Sequence, residues 1–299
     1  MKTHHLIVIS LSFTSLLIAG CNKEKITPLK MDEESGLAEV NVHVDDFSVS
    51  EEGLAGRKDL VGTGSYNGIN AITLAFYNGS TEVSKITQLK VDSTTFTTFG
   101  DFNCSLRMGS YTMVVVAYTT KADNPFVLTS PTLASYTGLH AYETFVCTKT
   151  VNIDSTVSQT ISATLNRVGS MLQVVSTDGK SSNASKVRMT MSAGGRSFNP
   201  TTGLATVNSG FANVVSISAA VGSHSTSSTY LFLMGDEQTM DVTIDVLDAD
   251  SNSISHKVVT DVPFKSNRKT ILTGSLYTAG ANSAFVINTG WIGDTTLNF

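Results

Sequence analysis

Val40, Val42 and Val44 alternate with Asn41, His43 and Asp45. A period of two with one apolar phase predicts a half-buried strand, here over Ala38–Val49. Charges and glycines at Glu51–Gly53 and Gly56–Lys58 then mark an exposed loop. Ile72, Leu74 and Phe76 predict a second strand, turned by Asn78 and Gly79 into a third at Val83–Leu89. Leu106–Tyr118 is the clearest strand of the first half. Met113, Val115 and Ala117 fall on one face, and Val114, Val116 and Tyr118 on the other. Both faces are apolar, as in a central strand covered on two sides. Gly109 ahead of Tyr111 predicts a tight turn. From Lys121 to Glu143 the alternation dissolves around Pro125 and Pro131, which reads as a connection. Strands resume at Thr144–Ile153 and Val157–Leu165.

A second series begins after Asn166 and Arg167. It runs through Val168–Val175, Val187–Met191, Val214–Ala220, Thr229–Met234, Val242–Leu247, Ser255–Val262, Thr270–Tyr277 and Phe285–Trp291. Phe198–Gly203 carries turn chemistry, and Asp248–Asn252 turns one strand back on the next as a hairpin. Apolar residues nowhere recur at helical spacing over three turns, so helices are expected to be few and short. The pattern predicts an all-β chain of two tandem β-sandwich domains, 37–165 and 166–299.

The first residues belong to neither sandwich. Lys2 precedes an apolar run from Leu6 to Ile18, interrupted by Ser10, Ser12, Thr14 and Ser15. The run is too short to remain a spanning helix. Ile18, Ala19, Gly20 and Cys21 follow, and two small residues before Cys resemble the lipobox of bacterial lipoprotein signals. That resemblance implies cleavage between Gly20 and Cys21, lipid on the Cys21 thiol and acylation, such as palmitate, of the new N-terminus. Several acyl chains, each contributing roughly 0.8 kcal/mol per buried CH2, hold a protein on a membrane without a spanning helix. Residues 1–20 then form the signal peptide, and 21–36 a polar tether carrying Pro28.

Processing leaves 279 residues (299 − 20), enough for two domains of about 130 residues that fold without a metal. With Lys2 gone, 19 basic residues face 25 acidic ones, a net charge of −6 and no basic block. Nucleic acid is therefore excluded as a partner. Cys104 and Cys147 remain, in a compartment where disulfides persist. They are either bonded to each other or two buried free thiols.

The catalytic motifs are missing: no Gly-x-Ser-x-Gly, no His-Glu-x-x-His and no Cys-x-x-Cys occurs. His43, His140, His224 and His256 are scattered, with His43 and His256 on the polar phase of their strands. Gly62–Gly68 nearly spells a dinucleotide loop, but no βαβ unit surrounds it. Ser266 and Lys269 have the spacing of an acyl-enzyme pair without its helix. Asp248, Asp250 and Asn252 imitate the start of a calcium loop, with Ser253 and Val259 where that loop needs Gly and Glu. Trp291, the single tryptophan, is a poor platform for stacking sugars and reads as packing. The chain is expected not to be an enzyme and to carry no cofactor or metal.

Pro263, Lys265, Asn267, Thr270 and Gly274 spell Pro-x-Lys-x-Asn-x-x-Thr-x-x-x-Gly, similar to the penultimate strands of Bacteroidetes fimbrillins. These are the FimA/FimB-type subunits and anchor lipoproteins of type V pili. Gly109–Tyr111 opening a buried strand and Leu165–Val168 opening the second domain also resemble that family. The resemblance implies two transthyretin-like β-sandwiches on a surface-exposed outer-membrane lipoprotein of a fimbrium. It implies other pilus subunits as partners, joined by β-strand addition, and a host or bacterial surface ligand for adhesion. It further implies that an arginine-specific protease frees the first strand of a shaft subunit, whereas an anchor keeps it. Arg57, followed by Lys58, stands in the place for that cut, or is simply an exposed loop arginine. Phe285–Phe299 is the candidate donor strand. The other reading is a surface lipoprotein that binds glycan or another ligand through the sandwich loops.

Overall fold

The valine alternation becomes a twelve-residue strand, β1 (Leu37–Ser48), with Val40, Val42 and Val44 turned inward. The computed structural model describes residues 36–48, 60–92, 94, 96–278 and 285–291. After β1 come β2 (Leu60–Gly62), β3 (Ala71–Asn78), β4 (Thr81–Leu89), β5 (Asp101–Arg107) and β6 (Gly109–Tyr118). The first half closes with β7 (Phe126–Ser130), β8 (Leu133–Tyr136), β9 (Thr144–Ile153) and β10 (Gln159–Arg167). The second half holds β11 (Ser170–Ser176), β12 (Lys186–Met191), β13 (Ser197–Phe198), β14 (Phe211–Ser216) and β15 (Thr226–Leu231). It ends with β16 (Glu237–Leu247), β17 (Ser253–Lys265), β18 (Arg268–Gly274) and β19 (Val286–Trp291). Among the described residues the helical content is a 3-10 turn at Lys90–Asp92.

Two layers make the first sandwich. In one, β1 runs parallel to β10, and its other edge pairs antiparallel with β5 over Leu37–His43 and with β2 over Asp46–Ser48. The other layer is antiparallel, in the order β9-β6-β3-β4. They join at a corner where Asn166 and Arg167 of β10 pair with Val146 and Phe145 of β9. Between them, Val40, Val42, Val44 and Phe47 meet Leu74 and Phe76 of β3, Met113 and Val115 of β6, and Phe145. A bulge at Asp45 shifts the pairing by one residue and brings Phe47 inward in place of Asp46.

The expected single strand Leu106–Tyr118 is two strands. β5 belongs with β1 and β6 with β3 and β9, so the chain changes layer at exposed Met108 and at Gly109, whose φ is 155°. The turn expected at Gly109 is therefore the crossing between layers, with β5 ending before it at Arg107. β6 is central and covered on both faces, as its composition predicts. Its outer face, Val114, Val116 and Tyr118, packs on Leu128, Ala134 and Tyr136 of a hairpin, β7–β8. That hairpin lies inside the stretch Lys121–Glu143, where only a connection is expected from sequence. Its strands are short and flanked by proline, and their burial is supplied from far along the chain.

The second sandwich pairs the sheet β15-β11-β18-β19 with the sheet β14-β12-β16-β17 around Leu172, Val187, Met189, Ile244, Val246 and Leu272. Two strands are displaced from their sequence positions. The predicted Val214–Ala220 lies at β14, and Thr229–Met234 at β15. The described residues all fall in one compact unit, Gly36–Phe299. Its halves share an apolar junction: β13 pairs with β8, and the Phe198 and Phe232 rings stand 4.5 Å apart beside Tyr136. Tyr136 is fully buried, and its hydroxyl is satisfied by Thr144 Oγ1 at 2.8 Å.

Candidate functional site

β1 occupies a slot. Ladders run along both its edges, and Ala38, Val40, Val42, Val44 and Phe47 are each at most 1% exposed. The bulge is held by Thr63, whose Oγ1 donates to Val44 O at 2.6 Å, and by Val44 N donating to Gly100 O at 3.0 Å. Among the described residues, the outer face of β1 carries exposed polar contacts. His43 pairs with Asp101 and, at 3.3 Å, with Asp45, and Asn103 donates to Glu39 and Asn41. The hydrogen bond to Asp101 raises the His43 pKa above its ordinary value, against a smaller opposing effect of burial. Arg57, Lys58, Gly20 and Cys21 lie outside the described residues.

β19 is the opposite kind of strand. Among the described residues it is the last strand of its sheet and pairs with β18, and Val286 and Ile287 are 66% and 38% exposed. At its base Phe285 packs on Gly274. A Cβ at residue 274 would stand 2.9 Å from the Phe285 ring, so glycine makes room for it. The chain leaving β18 is held by Asp178. Its carboxylate accepts from the amides of Leu276 (2.7 Å), Tyr277 and Thr278 (both 2.9 Å) and from the hydroxyls of Ser275 (2.7 Å) and Thr278 (3.0 Å). Partial burial by itself would raise the Asp178 pKa. The hydrogen bonds outweigh it and pull the value from 3.8 to about 2. A depressed carboxylate pKa stabilises the fold above pH 3.8, and that contribution is lost as pH falls towards 2. Acid unfolding followed by near-UV circular dichroism is expected to show wild type losing stability across this window more steeply than Asp178→Asn. Equal slopes would contradict it.

Of the residues that carry the family resemblance, Arg167, Pro263, Lys265, Asn267 and Thr270 gather around the β17–β18 turn. Arg167, last in β10, donates from Nε (2.9 Å) and Nη2 (2.8 Å) to Glu143 Oε1 and from Nη1 to Asn267 Oδ1 at 3.4 Å. Its guanidinium also lies 5.0 Å from the Phe145 ring centroid. Asn267 forms the turn between β17 and β18 with φ 57°, a left-handed conformation that Asn tolerates. Ser170 Oγ donates to Lys265 O and Thr270 Oγ1 to Pro263 O, both at 2.8 Å. Tyr66 completes the cluster, donating to Glu143 Oε1 at 2.6 Å. Burial and the Glu143 charge raise its pKa well above the tyrosine range. Nothing in local sequence singles out Glu143, Tyr66 or Asp178.

Cys104 lies opposite Val40 and Cys147 opposite Val115, in different layers, and both are free thiols. Burial raises both pKa values and makes the thiols poor nucleophiles. Asp248 and Asn252 close the β16–β17 turn, with Asn252 N donating to Asp248 Oδ1 at 2.8 Å. Ser266 and Lys269 flank the β17–β18 turn. His256 Nδ1 donates to Asp245 Oδ1 at 2.6 Å, and Arg188 binds the same carboxylate at 2.9 Å. A cleft of about 690 Å3 follows the seam between β4 and β5, lined in part by Thr87, Gln88, Phe96 and Asp101. Its Gln88 is occupied by the fold, with Nε2 donating to Asp101 O and Oε1 accepting from Gly100 N. Among the described residues no group of three His, Cys, Asp or Glu side chains could hold a metal, and no helix is long and apolar enough to cross a membrane.

A family model described as a family of unknown function, DUF6562, matches residues 72–298. No curated protein matches the chain in sequence. Solved structures share the fold. A candidate adhesin of Bacteroides ovatus superposes with a TM-score of 0.50 at 12% identity, over 82% of this chain and 88% of that one. Another from the same organism gives 0.50 at 10% identity, over 87% and 97%. The fimbrial anchor protein Mfa2 of Porphyromonas gingivalis gives 0.47 at 12% identity, over 86% and 98%.

Proposed function

This chain belongs to DUF6562, a family of unknown function, and from its fold we propose that it is a structural subunit or membrane anchor of a surface fimbria. It assembles with other pilus subunits by β-strand addition and supports adhesion. The observation that carries the reading is β1: the first described strand fills a slot in a sandwich core with side chains at alternate positions, up to the bulge. Strand addition needs a groove of this kind, in which main-chain hydrogen bonds give affinity and pockets for alternate side chains give register. At the other end of the chain, β19 offers an edge strand with apolar side chains facing out, the form a donated strand takes before it finds a groove. Residues 292–299 of the candidate donor strand lie outside the described residues. The likeness to candidate adhesins of Bacteroides ovatus supports the surface role at the level of fold.

In an anchor, Cys21 carries lipid in the outer membrane and β1 stays in place. In a shaft subunit, cleavage after Arg57 removes both the lipid and β1, and the slot takes the Phe285–Phe299 strand of a neighbour. The experiment is intact mass and N-terminal sequence of the protein from outer-membrane and sheared-surface fractions. A chain beginning at acylated Cys21 and confined to the membrane is expected for an anchor, and one beginning at Lys58 in the sheared fraction for a polymerised subunit. Any other N-terminus, or recovery only from a soluble fraction, would overturn the proposal.

A further inference from the structure

β11 and β18 run parallel in register, Ser176 beside Gly274, so both chains leave the sheet at the same end. There Thr177 N donates to Gly274 O at 2.9 Å, and the next residue, Asp178, turns its carboxylate onto the chain that has just left β18. Three consecutive amides, Leu276 to Thr278, converge on that one side chain. The same segment is fixed from other sides. Leu276 is fully buried in the second core, the Tyr277 hydroxyl meets Ser225 Oγ, and Lys257 Nζ donates to Thr278 O at 3.0 Å. Beyond this point the attachment changes character. β19 is held to β18 by its main-chain ladder and the Phe285 ring, while Val286, Ile287 and Asn288 face solvent.

We propose that Asp178 is a positioning residue that fixes the root of the C-terminal strand, so that β19 can separate from β18 while the chain up to Thr278 stays in the fold. This rests on the reading of β19 as a donated strand. The need for a stop is physical. β18 is an inner strand between β11 and β19, and Thr270, Leu272 and Gly274 are buried along it. A strand peeled from an edge pulls on whatever precedes it, and a ladder alone offers no point at which peeling must halt. Three amides and two hydroxyls donate to the one Asp178 carboxylate, so peeling past Thr278 towards β18 must break several charge-assisted hydrogen bonds at once. Separation of β19 is therefore arrested at Thr278.

The test is hydrogen–deuterium exchange by mass spectrometry on the full chain. In wild type, β19 amides are expected to exchange at least tenfold faster than those of Leu276–Thr278 and β18. Gly274→Ala, which crowds Phe285, is expected to speed β19 further and leave Leu276–Thr278 unchanged. Asp178→Ala is expected to speed Leu276–Thr278 at least tenfold and to carry β18 with it, with β12 and β16 unchanged. Asp178→Asn is expected to act in the same direction by a smaller factor. If Asp178→Ala disturbs β12 and β16 as well, Ser275→Ala and Thr278→Val, each removing one side-chain donor, decide on the same comparison. Protection of Leu276–Thr278 within twofold of wild type in these variants would overturn the proposal. So would β19 and Leu276–Thr278 opening together in wild type. Strand donation is measured separately, by mixing wild-type chain with a chain that begins at Lys58. Absence of a complex there would sink the assembly reading while the exchange result stands by itself.

Discussion

A chain beginning at Lys58 is expected to be unable to persist as a folded monomer and to regain stability when a strand is supplied. β1 buries Val40, Val42, Val44 and Phe47 almost completely. At about 1.5–3 kcal/mol for each large apolar side chain, its loss removes on the order of 10 kcal/mol before the two ladders are considered. That is comparable with the whole stability of a domain, about 5–15 kcal/mol. The empty groove also exposes unpaired edges of β10 and β5, templates for another strand. The measurement is thermal unfolding and size-exclusion chromatography of Lys58–Phe299, alone and with a Leu37–Ser48 peptide. The peptide is expected to restore a single unfolding transition. A variant with its apolar residues moved by one position is expected to fail, because a one-residue slip turns every side chain to the wrong face. Without peptide, multimers are expected, and deletion of Phe285–Phe299 is expected to abolish them. A Lys58–Phe299 chain that is monomeric and as stable as the full chain would remove β1 from any assembly role. Multimers that survive the deletion would remove the C-terminal strand.

What could be read from the sequence was what a strand carries within its own few residues. β1, β12 and β16 have one clean apolar phase, and Asp248–Asn252 has its turn chemistry, so these are found where the pattern puts them. Features decided by distant partners were not legible. β7 and β8 are buried by Phe198 and Phe232 from the other half, and no period within them records that. Gly109 marks a turn in the sequence, but nothing local to it records that β5 and β6 belong to different layers. The site divides in the same way. Arg167 and Asn267 stand out as fimbrillin-like landmarks, yet their contact joins positions 100 residues apart. Glu143 resembles any loop acid and Asp178 any turn residue before a glycine. Their roles are visible only once the Arg167 guanidinium and the Leu276–Thr278 amides are placed around them.

Replacing Arg167 is expected to be the most damaging single change at the junction. Its side chain is 3% exposed and that of Glu143 is 9% exposed, so the two charges are withdrawn from water and depend on each other. Arg167→Met leaves the Glu143 carboxylate buried with, among the described residues, the Tyr66 hydroxyl as its remaining side-chain donor. Breaking a buried pair from one side costs about 3–5 kcal/mol, because the remaining charge is uncompensated. At about 2–4 °C per kcal/mol for a unit of this size, Tm falls by roughly 10 °C. The double variant Arg167→Met with Glu143→Leu removes both charges and is expected to recover most of that loss, since an apolar pair of similar volume is often as stable as the ion pair it replaces. The contact of Arg167 with Asn267 separates this from simple packing. The double variant restores the burial of the first sandwich but not that hydrogen bond to the β17–β18 turn. Exchange at Ser266–Arg268 is therefore expected to stay faster than wild type after Tm has recovered. A single Arg167→Met costing under about 1 kcal/mol would show that the pair carries no stability. Recovery of turn protection in the double variant would show that Arg167 does not hold the second sandwich through Asn267.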